Sequence, residues 1–230
     1  MDRKYFLVIS GITLIVLAIA ILSPGGRKAD EHPKLPWLIT PHADGTSTVF
    51  GITLDKTTLS EARDIFQDQG ETNLFVSPDE KLSLETYFER LFLSGLKADF
   101  ILSLSIDDTL LREMYERGLR ISKLGSGTKK VTLTDEDMGK LANAVVDHIT
   151  YLPVVDLDAK LLESRFGKPA ERIREASGIE HWLYPAKGLD IAYNPNGKEV
   201  FQYVPPAHFQ DIVAPLKTSV DTSPSEKSTD

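Results

Sequence analysis

Chemistry needs side chains that can share a proton, a metal or an electron pair, and in this chain such residues are few and scattered. Histidine occurs at positions 32, 42, 148, 181 and 208. No two histidines have the short helical spacing that puts a pair of imidazoles on one metal. His42-Ala43-Asp44 has the outline of a ligand pair on an extended segment, although a polar trio of this kind is more often solvated loop. Gly125-Ser126-Gly127-Thr128-Lys129-Lys130 lacks the Gly-x4-Gly-Lys-Ser/Thr spacing that aims backbone amides at phosphates, so it reads as a basic hairpin turn. Asp135-Glu136-Asp137 fit the first turn of a helix, where the dipole favours acids, and are given no catalytic role. There is no Gly-x-Ser-x-Gly elbow. There is also no cysteine, which excludes disulfides, thiolate metal sites and a lipid-bearing N-terminal cysteine. These residues imply a non-enzymatic protein without cofactor or metal. An enzyme with an unrecognised site is the alternative that clustered titratable groups in a cleft would favour.

Binding falls instead to aromatic residues. Trp182 with Tyr184, and Phe201 with Tyr203, occupy single faces of their strands by period-two alternation. One reading places that face in the core beneath a helix carrying Leu161, Leu162 and Phe166. The other leaves Trp182, Tyr184 and Tyr203 at the sheet margin as partner-contacting residues, where Trp and Tyr concentrate binding energy.

The elements that position these residues begin after an apolar N-terminus. Tyr5 to Leu22 is free of charge, follows Met1-Asp2-Arg3-Lys4 and precedes Ser23-Pro24-Gly25-Gly26. Its reach of roughly 27 Å approaches the hydrocarbon thickness of a bilayer, so residues 1–22 are expected to be a single transmembrane anchor. A cleaved signal peptide is the alternative. Residues 23–36 read as a polar linker. Residues 217–230, without apolar periodicity, read as a disordered tail. The net charge of −8 and pI near 5.2 argue against nucleic acid, which is bound by clustered basic side chains.

Between linker and tail, Thr58-Leu59-Ser60-Glu61 forms a capping box ahead of Leu59, Ala62, Ile65 and Phe66 at helical spacing. Lys97 to Ile106 alternates as a strand. Ser83 to Leu93 fits either a helix or a strand by its own pattern. Asp108 to Arg117 and Asp135 to His148 read as helices. Trp182 to Tyr184, Leu189 to Tyr193 and Glu199 to Val204 read as strands, the last two joined by Asn194-Pro195-Asn196-Gly197.

Setting Phe66 on Phe166 also puts Glu71 on Glu171, and Gly95-Leu96 then matches Gly188-Leu189 with an aromatic residue following in each. Each copy reads as helix, loop, strand, Gly-Leu turn, strand, which tips Ser83 to Leu93 toward strand. The second copy, with Phe166-Gly167-Lys168-Pro169 after a short helix, a Trp182-x-Tyr184 strand, a Gly turn and a closing strand, resembles the SmpA/OmlA family of small envelope lipoproteins, which includes BamE. Two such units in tandem are similar to β-lactamase inhibitory protein. The resemblance covers residues 157–204 well and 50–106 loosely. It implies an α+β fold of two tandem helix-on-antiparallel-sheet units, a first lobe over 37–150 with a helical insert and a second over 151–216. With the signal-like N-terminus, it also implies an inner-membrane, single-pass protein with its domain in the periplasm, working by contact with a protein partner in the cell envelope. The chain departs from the family in lacking the lipid-accepting cysteine and in its insert, Asp108 to His148. Binding of a small or lipidic ligand between the lobes is the second alternative, which a deep apolar cavity would favour.

Overall fold

Thr58 caps helix α1 (Leu59–Phe66) with a reciprocal box: its hydroxyl accepts from the Glu61 amide at 3.3 Å, and its own amide donates to Glu61 Oε2 at 2.8 Å. Asp158 caps α4 (Ala159–Phe166) through the Leu161 amide at 2.7 Å, and Gly167, at φ 82°, ends it. Both helices turn a short apolar stripe inward, Leu59, Ala62 and Phe66 in one and Leu162 and Phe166 in the other.

The computed structural model describes residues 32–221, together with Thr13 and Leu17. The expected membrane segment therefore lies outside the described residues except for Thr13 and Leu17, both helical. Among the described residues no helix is long and apolar enough to cross a membrane. The fold is α+β. A small sheet of β1 (Thr40–Pro41), β2 (Ser47–Val49) and β3 (Ile52–Thr53) accompanies a ten-stranded antiparallel sheet. The large sheet comprises β4 (Glu71–Val76), β5 (Leu82–Leu93), β6 (Leu96–Ser105), β7 (Arg120–Lys123), β8 (Lys129–Thr132), β9 (Val145–Pro153), β10 (Glu171–Arg174), β11 (Glu180–Tyr184), β12 (Leu189–Tyr193) and β13 (Val200–Tyr203). Their spatial order is β10-β11-β12-β13-β9-β6-β5-β4-β8-β7. Helices α2 (Asp108–Glu116) and α3 (Asp135–Lys140) flank the β7–β8 hairpin in sequence, and α5 (Phe209–Asp221) closes the described chain.

Ser83 to Leu93 is strand, within β5. Leu84, Thr86 and Phe88 are buried in alternation, and a bulge before Leu91, with Arg90 at φ 51°, restores Leu91 to the same face. Cross-strand register lines up Trp182, Ile191, Phe201, Tyr151, Phe100 and Phe88 over six successive strands. This row faces α1 and α4. Phe100 packs at 5.0 Å from Phe66 and at 5.0 Å from Phe50, while Phe201 lies 5.5 Å from Phe166. Phe50 reaches that position from the two-residue turn joining β2 to β3, where it and Gly51 both have positive φ, as a hairpin of this length requires.

The structure differs from the sequence expectations in several places. The helix expected over Asp135 to His148 stops at Lys140, and residues 145–153 pair with β6 as a strand. Their alternation was hidden by a bulge at Asp147, which puts Val146 and Ile149 on one face three residues apart. The insert is accordingly not all helical, since β7 and β8 add two strands outside β4. The lobe boundary expected at 150/151 falls inside β9, and the sheet runs through it without interruption. Of the tail expected over 217–230, residues 217–221 belong to α5 and 222–230 lie outside the described residues. That helix is held by Phe209 and Val213, which pack on Ile173, Leu183 and Val204 on the opposite face of the sheet. The linker expected over 23–36 lies outside the described residues as far as 31, and at its other end Pro36 is buried and its carbonyl accepts from Tyr203 Oη at 3.0 Å.

Candidate functional site

Trp182, Tyr184 and Tyr203 are interior residues, exposed by 1%, 4% and 0%. Their polar atoms are satisfied inside the chain. Trp182 Nε1 donates to Glu180 Oε2 at 2.7 Å beneath the Arg172 guanidinium, Tyr184 Oη donates to the Gly167 carbonyl at 2.9 Å, and Tyr203 Oη meets Pro36. In this fold none of them offers a surface to a partner, and the reason is register: all three are on the sheet face that the helices cover. The other sequence candidates are local structure. His42 Nε2 lies 2.8 Å from Thr48 Oγ1, while Asp44 pairs with Lys56 and Thr46. Asp137 is a buried helix-cap carboxylate held by Arg117 at 2.9 Å. Among the described residues no set of three His, Asp or Glu side chains is placed to hold a metal ion.

Two features emerge that sequence reasoning missed. The first is a polar cleft of about 520 Å3 where the start of α5 meets β6 and β9, lined by Asp55, Ser103, Ser105, Asp147, His148, His208 and Asp211 among others. The bulge in β9 places Asp147 and His148 beside it, and Asp147 Oδ1 and His148 Nε2 are both buried without a hydrogen-bond partner. Burial pushes His148 down to about 4. It raises Asp147, with help from the Asp55 charge, and raises Asp55, against the pull of His208. His208 stands 3.6 Å from Asp55 and 3.4 Å from Asp211. These groups come from four separated stretches of chain, so only the adjacency of Asp147 and His148 was visible beforehand.

The second feature is the half of the sheet's outer face that α5 leaves bare. Over β4, β5, β6 and β9 the outward side chains are exposed or half-buried, apart from Asn73. Cross-strand pairing sets Tyr87 against Ile101 and Ile101 against Thr150, Asp99 against Leu152, and Phe92 against Lys97, whose carbonyl accepts from the Val154 amide. Phe92 is 70% exposed. Tyr87, Val154 and Val155 are exposed as well. These apolar side chains are interleaved with charged ones, Asp99 beside Leu152 and Lys97 between Phe92 and Val154, with Glu89 and Arg90 paired alongside.

Beside α5, His181 bridges two carboxylates, with Nδ1 2.8 Å from Asp190 Oδ2 and Nε2 3.1 Å from Glu175 Oε1. Burial alone would lower its pKa, but the hydrogen bonds and charges of Asp190 and Glu175 outweigh it and hold the imidazolium above the ordinary value. A histidine raised in the folded state contributes stability that is complete below its unfolded value of 6.5 and is lost as pH rises through the folded value. His181→Gln is therefore expected to flatten the fall in melting temperature above pH 6.5. Thermal melts of both proteins across that range check it, and parallel profiles would refute the assignment.

Comparison of the chain with protein-family models, curated proteins and solved structures finds no match.

Proposed function

We propose that this chain is a non-enzymatic envelope protein, anchored in the inner membrane through residues 5–22, that presents its periplasmic domain to a protein partner. The docking surface in this reading is the bare half of the outer sheet face, in place of the buried aromatic residues. The observation that carries it is the aligned patch of Tyr87, Phe92, Ile101, Leu152 and Val154, because exposed apolar side chains grouped on one face mark interaction sites where scattered ones do not. The charges interleaved with it, Glu89 and Asp99 with Arg90 and Lys97, select a partner whose apolar residues are set among charges of both signs. The reading takes the fold as two tandem units of the kind the SmpA/OmlA resemblance implies, and the order of the elements supports it. Helices α1 and α4 begin one hundred residues apart, each precedes a meander, and β4-β5-β6-β9 mirrors β10-β11-β12-β13 across the central β9–β13 pair.

The cleft supports a second reading, a small polar ligand bound at Asp147 and His148, since their unpartnered buried atoms would gain hydrogen bonds from it. The deciding experiment compares tagged full-length wild type with Phe92→Asp and Ile101→Asp in membranes, by crosslinking, copurification and carbonate extraction. The expected result is a carbonate-resistant protein in which both variants keep their melting temperature within about 2 °C and lose the crosslinked partner about tenfold. Carbonate release of the protein would defeat the anchor, and undiminished crosslinking by both stable variants would defeat the docking face.

A further inference from the structure

The outermost strand, β7, belongs to a stretch with unusual charge for this chain. Arg117 to Thr134 contains Arg117, Arg120, Lys123, Lys129 and Lys130 and no acidic residue, within a protein of net charge −8. Arg117 is neutralised by Asp137 and Glu113, and Lys130 by Glu71. Arg120, Lys123 and Lys129 have no ion pair among the described residues. Beside them Leu119, Ile121 and Leu124 are 68%, 54% and 40% exposed. A single charged edge blunts unwanted pairing, yet exposed apolar residues interleaved with free cations keep this edge adhesive for a strand of opposite charge.

The backbone there is open as well. β7 is the last strand of the sheet. The Leu124 amide donates to the Thr128 carbonyl at 2.8 Å, and register pairs Ser122 with Lys130 and Arg120 with Thr132. By the alternation of an antiparallel ladder, Ile121 and Lys123 therefore turn their amides and carbonyls away from β8. We propose that the β7 edge is a strand-addition site for an extended acidic segment of another protein. Such a segment hydrogen-bonds Ile121 and Lys123, sets an apolar side chain against Ile121, places a carboxylate two residues along on that same face at Lys123 and Lys129, and brings another on the opposite face to Arg120. A second copy of this chain is disfavoured as occupant because it would bring Arg120 and Lys123 against the same cations. The site does not depend on the bare sheet face, which lies inward of it in the strand order.

The test uses full-length protein in detergent and an acetylated, amidated, fluorescent heptapeptide with valine at its centre and glutamate at the other positions. The controls are its lysine–valine analogue, an all-glutamate heptapeptide and phosphatidylglycerol vesicles. The expected result is binding of the glutamate–valine peptide about tenfold tighter than either control peptide. Lys123→Pro, which removes an outward amide without breaking the ladder to β8, is expected to weaken it about tenfold. Lys123→Ala, which removes the charge and keeps the amide, is expected to weaken it about two- to threefold. In the wild type the amides of Ile121 and Lys123 gain protection from hydrogen exchange when the peptide is present, a readout that does not depend on any variant folding. Equal binding by the proline and alanine variants, unprotected amides, or displacement of the peptide by the anionic vesicles would overturn the proposal.

Discussion

Tyr203→Ala is expected to lower the stability of the folded unit by about 3–5 kcal/mol, the usual cost of emptying a large aromatic site in a close-packed core. Tyr203 has no solvent exposure, lies 5.4 Å from Phe50 ring to ring, and ties the segment entering the domain to the sheet through Pro36. Tyr203→Phe separates the two contributions, keeping the ring while leaving the Pro36 carbonyl without its donor. It is expected to cost about 1–3 kcal/mol. Urea unfolding of the three proteins checks both values, and an alanine variant as stable as the wild type would return Tyr203 to the surface role that its residue type suggests.

Acidification gives the second large effect. His148 is held neutral by burial, at about 4 against 6.5 in the unfolded chain. A histidine lowered in the folded state contributes stability that is complete above 6.5 and is lost as pH falls through 4, about 3 kcal/mol for this shift. Asp55 and Asp147 across the cleft act in the opposite sense. Both are raised above 3.8, so both take up protons more readily when folded and offset part of the loss in the lower half of the window. His208 and Asp211 complete the charged lining. His148→Gln is expected to remove most of the decline in stability between pH 6.5 and 4, measured by urea unfolding at fixed ionic strength. A variant with the wild-type slope would assign the acid sensitivity elsewhere.

What could be read beforehand followed the periodicity of the side chains. β6 was legible because Ala98, Phe100, Leu102 and Leu104 alternate without interruption, and α1 because its cap and apolar stripe coincide. β5 was decided only by comparison with the second copy, since its bulge at Arg90 shifts the alternation. β9 was misread because Asp147 is an extra residue in the strand, and the same irregularity hid the cleft. β4 and β10 escaped notice for another reason: Thr72 and Asn73 are buried polar residues, and β10 buries Ile173 alone. α5 was not read at all, although Phe209, Ile212, Val213 and Leu216 form a helical stripe that continues past Pro215. The aromatic residues were placed correctly on one face, but whether that face met helix or solvent was a property of tertiary packing.

The central β9–β13 pair also governs how the chain acquires this fold as it is made. β6 and β9 are separated in sequence by the whole insert, and β9 finds its other neighbour only when residues 200–203 arrive. Closing such distant pairs costs loop entropy before any contact rewards it, so this topology folds slowly relative to a helical protein of its size. During synthesis, a chain that has emerged only as far as β12 holds β9 with one edge unpaired, with Ile149 and Tyr151 on its inner side. The interval before Val200 emerges is therefore when the nascent protein is most open to wrong strand pairing, and a chaperone that holds β9 would act in that interval.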